Sequence, residues 1–222
     1  MPEADLSTPA TPEAAEAAEA ATPARKRPKP GERRVQILQA LAMMLEQPGA
    51  ERITTAALAA KLEVSEAALY RHFASKAQMF EGLIEFIEQS VFTLVNQNQE
   101  REGPGNGAAD SGSRQAARIA TMLVQFAEKN PGMTRVMVGD ALVYENERLQ
   151  QRMNQFFDKI ESTFKQCLRG AVEEASATPT LDAQVRASML TAFVVGRLQR
   201  FARSGFRRSP SEHLEASLAL ML

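Results

Sequence analysis

The chain has no tryptophan, and its 222 residues include only one cysteine, two histidines and two tyrosines. A lone cysteine excludes an internal disulfide framework and any metal site built on clustered thiolates. The helical setting of Cys167, TFKQCLRG, reads as an inert small apolar side chain in a core. With His72 and His213 as the whole histidine complement, neither a nucleophile–histidine triad nor a histidine metal site can be assembled. The glycines of GPGNG follow no strand pattern and precede no Lys-Ser/Thr, so they do not make a phosphate loop. Catalysis is therefore the weakest function class, and neither cofactor nor metal is expected. The chain also lacks an apolar run of bilayer length and a hydrophobic signal core at its start, which predicts a cytoplasmic protein.

Period-two alternation is missing as well. Eleven Phe and ten Met within a 44% hydrophobic composition instead suit helix-packed interiors, so an all-α fold is expected. Net charge is −1 but strongly segregated. Residues 1 to 24 carry five acids and no base, whereas residues 25 to 76 carry ten bases and five acids. Such asymmetry points to a polyanionic partner for the second segment. Composition makes residues 1–31 a disordered acidic-then-basic tail, ending in RKRPKPGERR. That arm reads either as a solubilising boundary or as a strand of charge laid along DNA, and its position favours DNA.

The segment Thr54 to Lys76, TTAALAAKLEVSEAALYRHFASK, is the most informative. Ala57, Leu58, Ala59 and Leu62 form one apolar face, and Val64, Ala68, Leu69 and Phe73 form another. Ser65 stands at an N-cap position and Thr54 or Thr55 at another. Two short helices across a tight turn, the second with Glu66, Ala67, Tyr70 and Arg71 outward, have the geometry that enters a DNA major groove. Spacing puts Ser65, Glu66, Ala67 and Tyr70 toward base edges. Ala67 suits a thymine methyl and Glu66 a cytosine amine. Thr54, Thr55, Arg71 and Lys76 are placed for the phosphate backbone.

A first helix is expected from about Glu32 to Gln47, with Val35, Leu38, Leu41, Ala42 and Leu45 on one face. Ser75 should cap a long helix through MFEGLIEFIEQSVFTLVNQ. Glu102 to Ser113 reads as a flexible connection, Arg114 to Lys129 as amphipathic helix, and Met133 to Val138 as a short helical turn after Asn130-Pro-Gly. Residues 140 to 172 read as one long helix, followed by a SATPT loop and closing helices at about Leu181 to Arg203 and Glu212 to Met221. The apolar positions of the last two (Val185, Met189, Ala192, Phe193, Gly196, Leu214, Leu218, Met221) exceed the needs of one bundle, so they should pair across a twofold axis as a homodimer. Two recognition helices about 34 Å apart then read a near-palindromic double-stranded DNA site. The series Arg197, Arg200, Arg203, Arg207 and Arg208 reads as a solvated face or as an interface rim with Glu145, Glu147 or Asp158.

The run V-S-x-x-x-L-Y-R-H-F-x-S-K, Val64 to Lys76, resembles the helix-turn-helix end of TetR-type regulators. The resemblance implies a TetR-like fold, with a helix-turn-helix domain at 32–76 and a helical dimerisation and partner-binding domain at 77–222. It also implies phosphate contacts for Tyr70 and His72, although His72 alone reads equally as a half-buried spacer. Such turns usually carry Gly where this chain has Glu63, which costs ~1 kcal/mol if the backbone there is left-handed. RITTAALAAKLEVSEAALYRHFASK, MFEGLIEFIE, KNPGMTRVMVGDALVYENERLQQRMNQ and FARSGFRRSP extend the likeness to the nucleoid-occlusion members of the family. These bind chromosomal DNA and antagonise FtsZ, the tubulin-like division GTPase. By that resemblance the partner-binding positions are Phe86, Met122, Gln125, Lys129 and Asn130, while Leu94 replaces an arginine contact. Spacing alone reads Phe86 and Met122 equally well as core. Two other readings are a repressor released by a small-molecule inducer, with Tyr144, Asn154 and Thr191 as its candidate polar groups, and a non-specific nucleoid architectural protein.

Overall fold

A computed structural model describes residues 31–47, 53–100, 108–172 and 178–222. All regular structure among them is helical. The helices are α1 (Glu32–Leu45), α2 (Thr55–Lys61), α3 (Glu66–Tyr70), α4 (Lys76–Glu100), α5 (Ala108–Lys129), α6 (Pro131–Met137), α7 (Glu147–Val172), α8 (Pro179–Arg203) and α9 (Leu214–Met221). None is long and apolar enough to cross a membrane.

The head is α1 to α3 closed by the first turns of α4. Ile37, Leu41 and Leu45 of α1 meet Leu58, Leu69, Phe73, Met79 and Phe80, all at most 1–2% exposed. Burial of that many large side chains, each worth ~1.5–3 kcal/mol, lets such a short α3 persist. Val35, expected on the buried face, is instead 48% exposed, because the inward stripe runs through Ile37, Ala40, Leu41 and Leu45. Arg34 ties the two ends of the head together. Its guanidinium lies 4.2 Å from the Phe73 ring centroid and donates to the His72 carbonyl at 2.7 Å.

In the body, α7 and α8 lie side by side, and α5 packs on α4, α7, α8 and α9. Phe156, Ile160 and Phe164 of α7, Ile119 and Leu123 of α5, and Leu190 and Leu198 of α8 are fully buried. Cys167 joins this core at 8% exposure, as its helical setting led one to expect. The edge-to-face contact of Phe92 on Phe156 at 5.7 Å joins α4 to α7, and Phe156 also meets Phe157 of its own helix at 5.1 Å.

Head and body meet at α6. A Cβ on Gly132 would lie 1.9 Å from the Ala42 carbonyl oxygen of α1, so only glycine permits this approach. Arg135 then reaches the end of α1, donating to the carbonyls of Leu45 at 3.3 Å and Gln47 at 3.5 Å, which lack helical partners. Three ion pairs continue the joint along α4: Lys76 with Glu145, Glu81 with Arg148, and Glu88 with Arg152 at 2.7 Å. The hydrogen bonds that Arg152 donates to Glu88 hold its guanidinium above its ordinary pKa despite burial.

Two expectations are corrected. Helix α5 begins at Ala108, so residues 108–113 are helix rather than flexible connection; residues 101–107 lie outside the described set. The single helix expected over 140–172 is broken. A left-handed Gly139 (φ 85°) leads into a 3-10 turn at Asp140–Leu142, and α7 starts only at Glu147. Asn146 explains the restart, since its side chain accepts from the Arg148 amide at 3.0 Å. The acidic-then-basic tail, except Gly31, lies outside the described residues, as do Ser176 and Ala177 of the SATPT loop, whose Pro179 and Thr180 already belong to α8 rather than to a loop.

Candidate nucleic-acid interface

The tip of the head is assembled by local hydrogen bonds that its own sequence supplies. Thr54 is extended (φ −99°, ψ 153°) and its side chain accepts from the Ala57 amide at 3.1 Å, starting α2. Ser65 is extended too (φ −77°, ψ 153°) and accepts from the Ala68 amide at 3.3 Å, starting α3. Leu62 to Val64 form the turn, and Glu63 holds it at φ 54°, the left-handed conformation that favours glycine. Val64 closes the turn by donating its amide to the Ala59 carbonyl at 3.0 Å.

A polar bridge spans the two short helices. The Thr55 hydroxyl donates to Glu66 Oε2 at 2.6 Å, and Tyr70 Oη lies 3.5 Å from Thr55 Oγ1. Thr55, expected on the phosphate backbone, thus also orients Glu66, and a carboxylate so held is aimed before any base meets it. Ser65, Glu66, Ala67, Tyr70 and Arg71 are all exposed, with Tyr70 at 45%. An exposed small Ala67 flanked by oriented polar groups suits groove contact, whereas Leu69 on the opposite side is 1% exposed and holds α3 to the core. His72 is half-buried, its backbone engaged by Arg34.

Lys76 stands apart from this set. Its ammonium pairs with Glu145 in the turn before α7 and lies 5.7 Å from the Phe80 ring centroid. The structure thus places the expected phosphate ligand on the head–body joint, shared with a carboxylate.

The five positions expected to bind a partner are spread over α4, α5 and the entry to α6. Met122 and Gln125 line an open groove of about 800 Å³ between α5 and α9, with Arg118, Thr121, Leu218 and Leu222 among its walls. Phe86 projects from α4 at 43% exposure, so it is not core, while Met122 is half-buried against the core. Lys129 is exposed at the end of α5. Asn130 is occupied locally, donating from Nδ2 to the Phe126 carbonyl at 2.7 Å as the chain enters α6.

The exposed apolar surface of α8 and α9 is narrower than the sequence suggested. Leu214 and Leu218 are 5% and 3% exposed, consumed by the protomer's own core where α9 meets α5. The exposed apolar stripe runs instead through Leu181, Val185 and Met189 of α8, at 60%, 49% and 57%, with Leu220 of α9 at 90%. Sequence reasoning missed Leu181 and Leu220, although their i, i+4 relation to Val185 and Ala216 was available. Gly196 has nothing within 4 Å of a built Cβ, leaving the surface open there.

Arg197 clamps the segment between α8 and α9. It donates to the carbonyls of Pro210 (2.9 Å) and Glu212 (2.7 Å) and to Ser217 Oγ (2.9 Å). Burial and neighbouring Arg200 pull its pKa below the ordinary value. Its guanidinium is thus engaged within the protomer, and Glu145, expected as a rim acid, pairs with Lys76. Nor do the inducer-pocket candidates converge: Tyr144 is 71% exposed, Asn154 is exposed, and Thr191 satisfies itself on the Ala187 carbonyl at 2.9 Å.

Comparison with known proteins follows the same two-part division. Residues 37–83 match the family of bacterial regulatory proteins of the tetR type, and residues 114–222 match the SlmA-like, tetracyclin repressor-like C-terminal domain. The nucleoid occlusion factor SlmA of Idiomarina loihiensis is 49% identical over 189 residues, covering 85% of this chain and 93% of that one. The factor of the same name from Aliivibrio fischeri is 49% identical over 196 residues, covering 87% and 96%. Among solved structures, the TetR-family regulator PfmR of Thermus thermophilus aligns with a TM-score of 0.62 at 20% identity, covering 84% of this chain and 97% of that one. The fatty acid degradation regulator FadR of Bacillus halodurans aligns at 0.68 and 11%, covering 89% and 97%. At such identities the structural likeness speaks for the fold alone.

Proposed function

The chain belongs to the SlmA branch of the TetR-type regulators, and from that premise we propose that it is a sequence-specific DNA-binding nucleoid occlusion factor. It binds near-palindromic chromosomal sites as a homodimer and, once bound, inhibits FtsZ ring assembly over the nucleoid. It works in the cytoplasm on the nucleoid, and it binds and presents rather than catalyses.

One observation carries the DNA half of this reading: the doubly capped α2–α3 tip, with Glu66 oriented by Thr55 and Ala67 and Tyr70 exposed beside it. Ser65, Glu66, Ala67 and Tyr70 meet base edges, while Thr54, Thr55, Arg71, His72 and Lys76 serve the phosphates. Support for the partner half comes from near-half identity that runs through the body as well as the head. FtsZ is taken by Phe86 of α4 and by Met122, Gln125, Lys129 and Asn130 along and after α5. The exposed α8 stripe supports the homodimer, because contiguous exposed apolar surface marks an interaction site. We place the DNA-binding domain at 32–76 and the pairing and partner-binding domain at 77–222, with Met79 and Phe80 in the first turns of α4 completing the head's core.

Purified FtsZ polymers, followed by light scattering with GTP, provide the test. Adding the protein with a selected palindromic duplex should dismantle them at concentrations where the protein with scrambled duplex does not. Equal effects with both duplexes, or none with either, contradict the reading. A repressor released by an inducer requires convergent buried polar groups, and the scattered placement of Tyr144, Asn154 and Thr191 argues against that.

A further inference from the structure

The last turn of α8 and the segment that follows it carry four arginines, Arg200, Arg203, Arg207 and Arg208, all exposed, in nine residues without an acid. Their scaffold is braced from several sides. Ser204 ends α8 and accepts the Arg208 amide at 2.9 Å, Phe206 stacks edge-on to Phe201 at 5.1 Å, and Arg197 clamps the following carbonyls. Ser211 donates to Glu128 at the end of α5 at 2.8 Å, and Ser209 to the same carboxylate at 2.5 Å. A solvated charge run does not need so much support.

The patch faces the head side of the body. Helix α7 starts beside α4, where Arg148 and Arg152 meet Glu81 and Glu88. Helix α8 returns antiparallel, level with α7 where Gln184 donates to Glu161 at 2.7 Å. From that level α8 runs about 28 Å to Arg203, while α7 reaches back only about 21 Å to its first residue, at 1.5 Å per residue. The α8 terminus therefore overshoots α7 toward α6, which packs on α1 of the head. Glu128 is held by the two serines, and the exposed Glu212 is the one acid among the described residues lining the surface beside Arg207 and Arg208, so the four arginines keep an excess of positive charge.

We propose that Arg203, Arg207 and Arg208 form a second DNA contact, independent of base sequence, with the phosphates of the spacer between the two half-sites. This rests on the α8-paired dimer, which doubles the patch beside the twofold axis and turns it toward the duplex between the heads. The contact adds affinity and salt dependence and leaves base preference to α3.

Binding of the full-length dimer to a selected palindromic duplex, across a salt series, tests this with the triple variant R203Q/R207Q/R208Q. Affinity at physiological salt should fall about tenfold or more. The slope of log K against log salt should shrink by about 2 to 5, since each lost phosphate contact removes about 0.9 and the dimer has two patches. The triple lysine variant should keep the wild-type slope, and melting curves of both variants should match the wild type. Neutral methylphosphonates at the central spacer should weaken the wild type and not the glutamine variant. Wild-type affinity and slope in the glutamine variant, or spacer phosphonates that leave wild-type binding unchanged, would overturn the assignment. So would a variant that keeps DNA but loses phosphatidylglycerol vesicles, which would assign the patch to a membrane. Tyr70→Ala separates the two readings, because it should erase the preference for the selected duplex while sparing the slope. Should the wild type itself show no such preference, the reading of α3 fails, and the slope on random duplex still decides the arginines.

Discussion

The head's tip and the body's outer faces present binding surfaces of opposite construction. At the tip, every fixed side chain is held by a partner no more than fifteen residues away: Thr54 by Ala57, Ser65 by Ala68, Glu66 and Tyr70 by Thr55. On the body, short links such as Asn130 to Phe126 stand beside partners more than sixty residues distant, as with Lys76 and Glu145 or Arg152 and Glu88. A short-range surface can form as soon as its helices do, whereas a long-range one reports whether the whole body is assembled. The joint at Gly132 is where the two kinds of construction meet.

The largest expected effect comes from breaking that joint. Gly132→Ala drives a methyl into the Ala42 carbonyl, so stability to urea should fall by about 1–3 kcal/mol. If the joint carries signals between head and body, FtsZ inhibition should fall further than DNA affinity does. Next in size, Ser65→Ala removes the α3 cap at about 1 kcal/mol, and DNA affinity measured by anisotropy should drop with little change in the melting of the body. Replacement by Asp or Asn, which cap equally well, should restore the helix.

Glu63→Gly runs the other way. Relief of a left-handed non-glycine residue, less the backbone entropy glycine adds to the unfolded chain, should raise stability by about 0.5 kcal/mol. A decrease in the melting temperature would show that the Glu63 side chain contributes more than its backbone costs. The smallest effect is Glu145→Gln, which frees Lys76: a partly exposed pair is worth about 0–1 kcal/mol, so stability should barely move. DNA affinity should then rise a few-fold at low salt, because Lys76 no longer divides its charge between a carboxylate and a phosphate. Unchanged affinity would place Lys76 with the body rather than with the DNA surface.

That contrast also sets what was legible in the sequence. The caps, the outward set Glu66, Ala67, Tyr70 and Arg71, and the anomalous Glu63 follow from local chemistry, and each is found where its spacing put it. The break before α7 was hidden because Leu142 and Leu149 keep helical spacing across it, while the roles of Gly139 and Asn146, which cause it, depend on backbone geometry that spacing does not reveal. Leu214 and Leu218 were indistinguishable from Leu181 and Leu220 as apolar helix positions. Only the docking of α9 on α5 decides which pair is buried and which exposed. Lys76 looked free for the same reason, its partner lying sixty-nine residues away.

The central claim is that α3 reads sites distributed along the chromosome so that the body can act on the division machinery there. A chromosome-wide crosslinking map in growing cells tests it most directly. The account predicts dozens of near-palindromic sites spread over the chromosome and missing from the replication terminus, with the pattern lost in Tyr70→Ala. One or two sites beside its own or a neighbouring gene would contradict it and identify a local repressor instead.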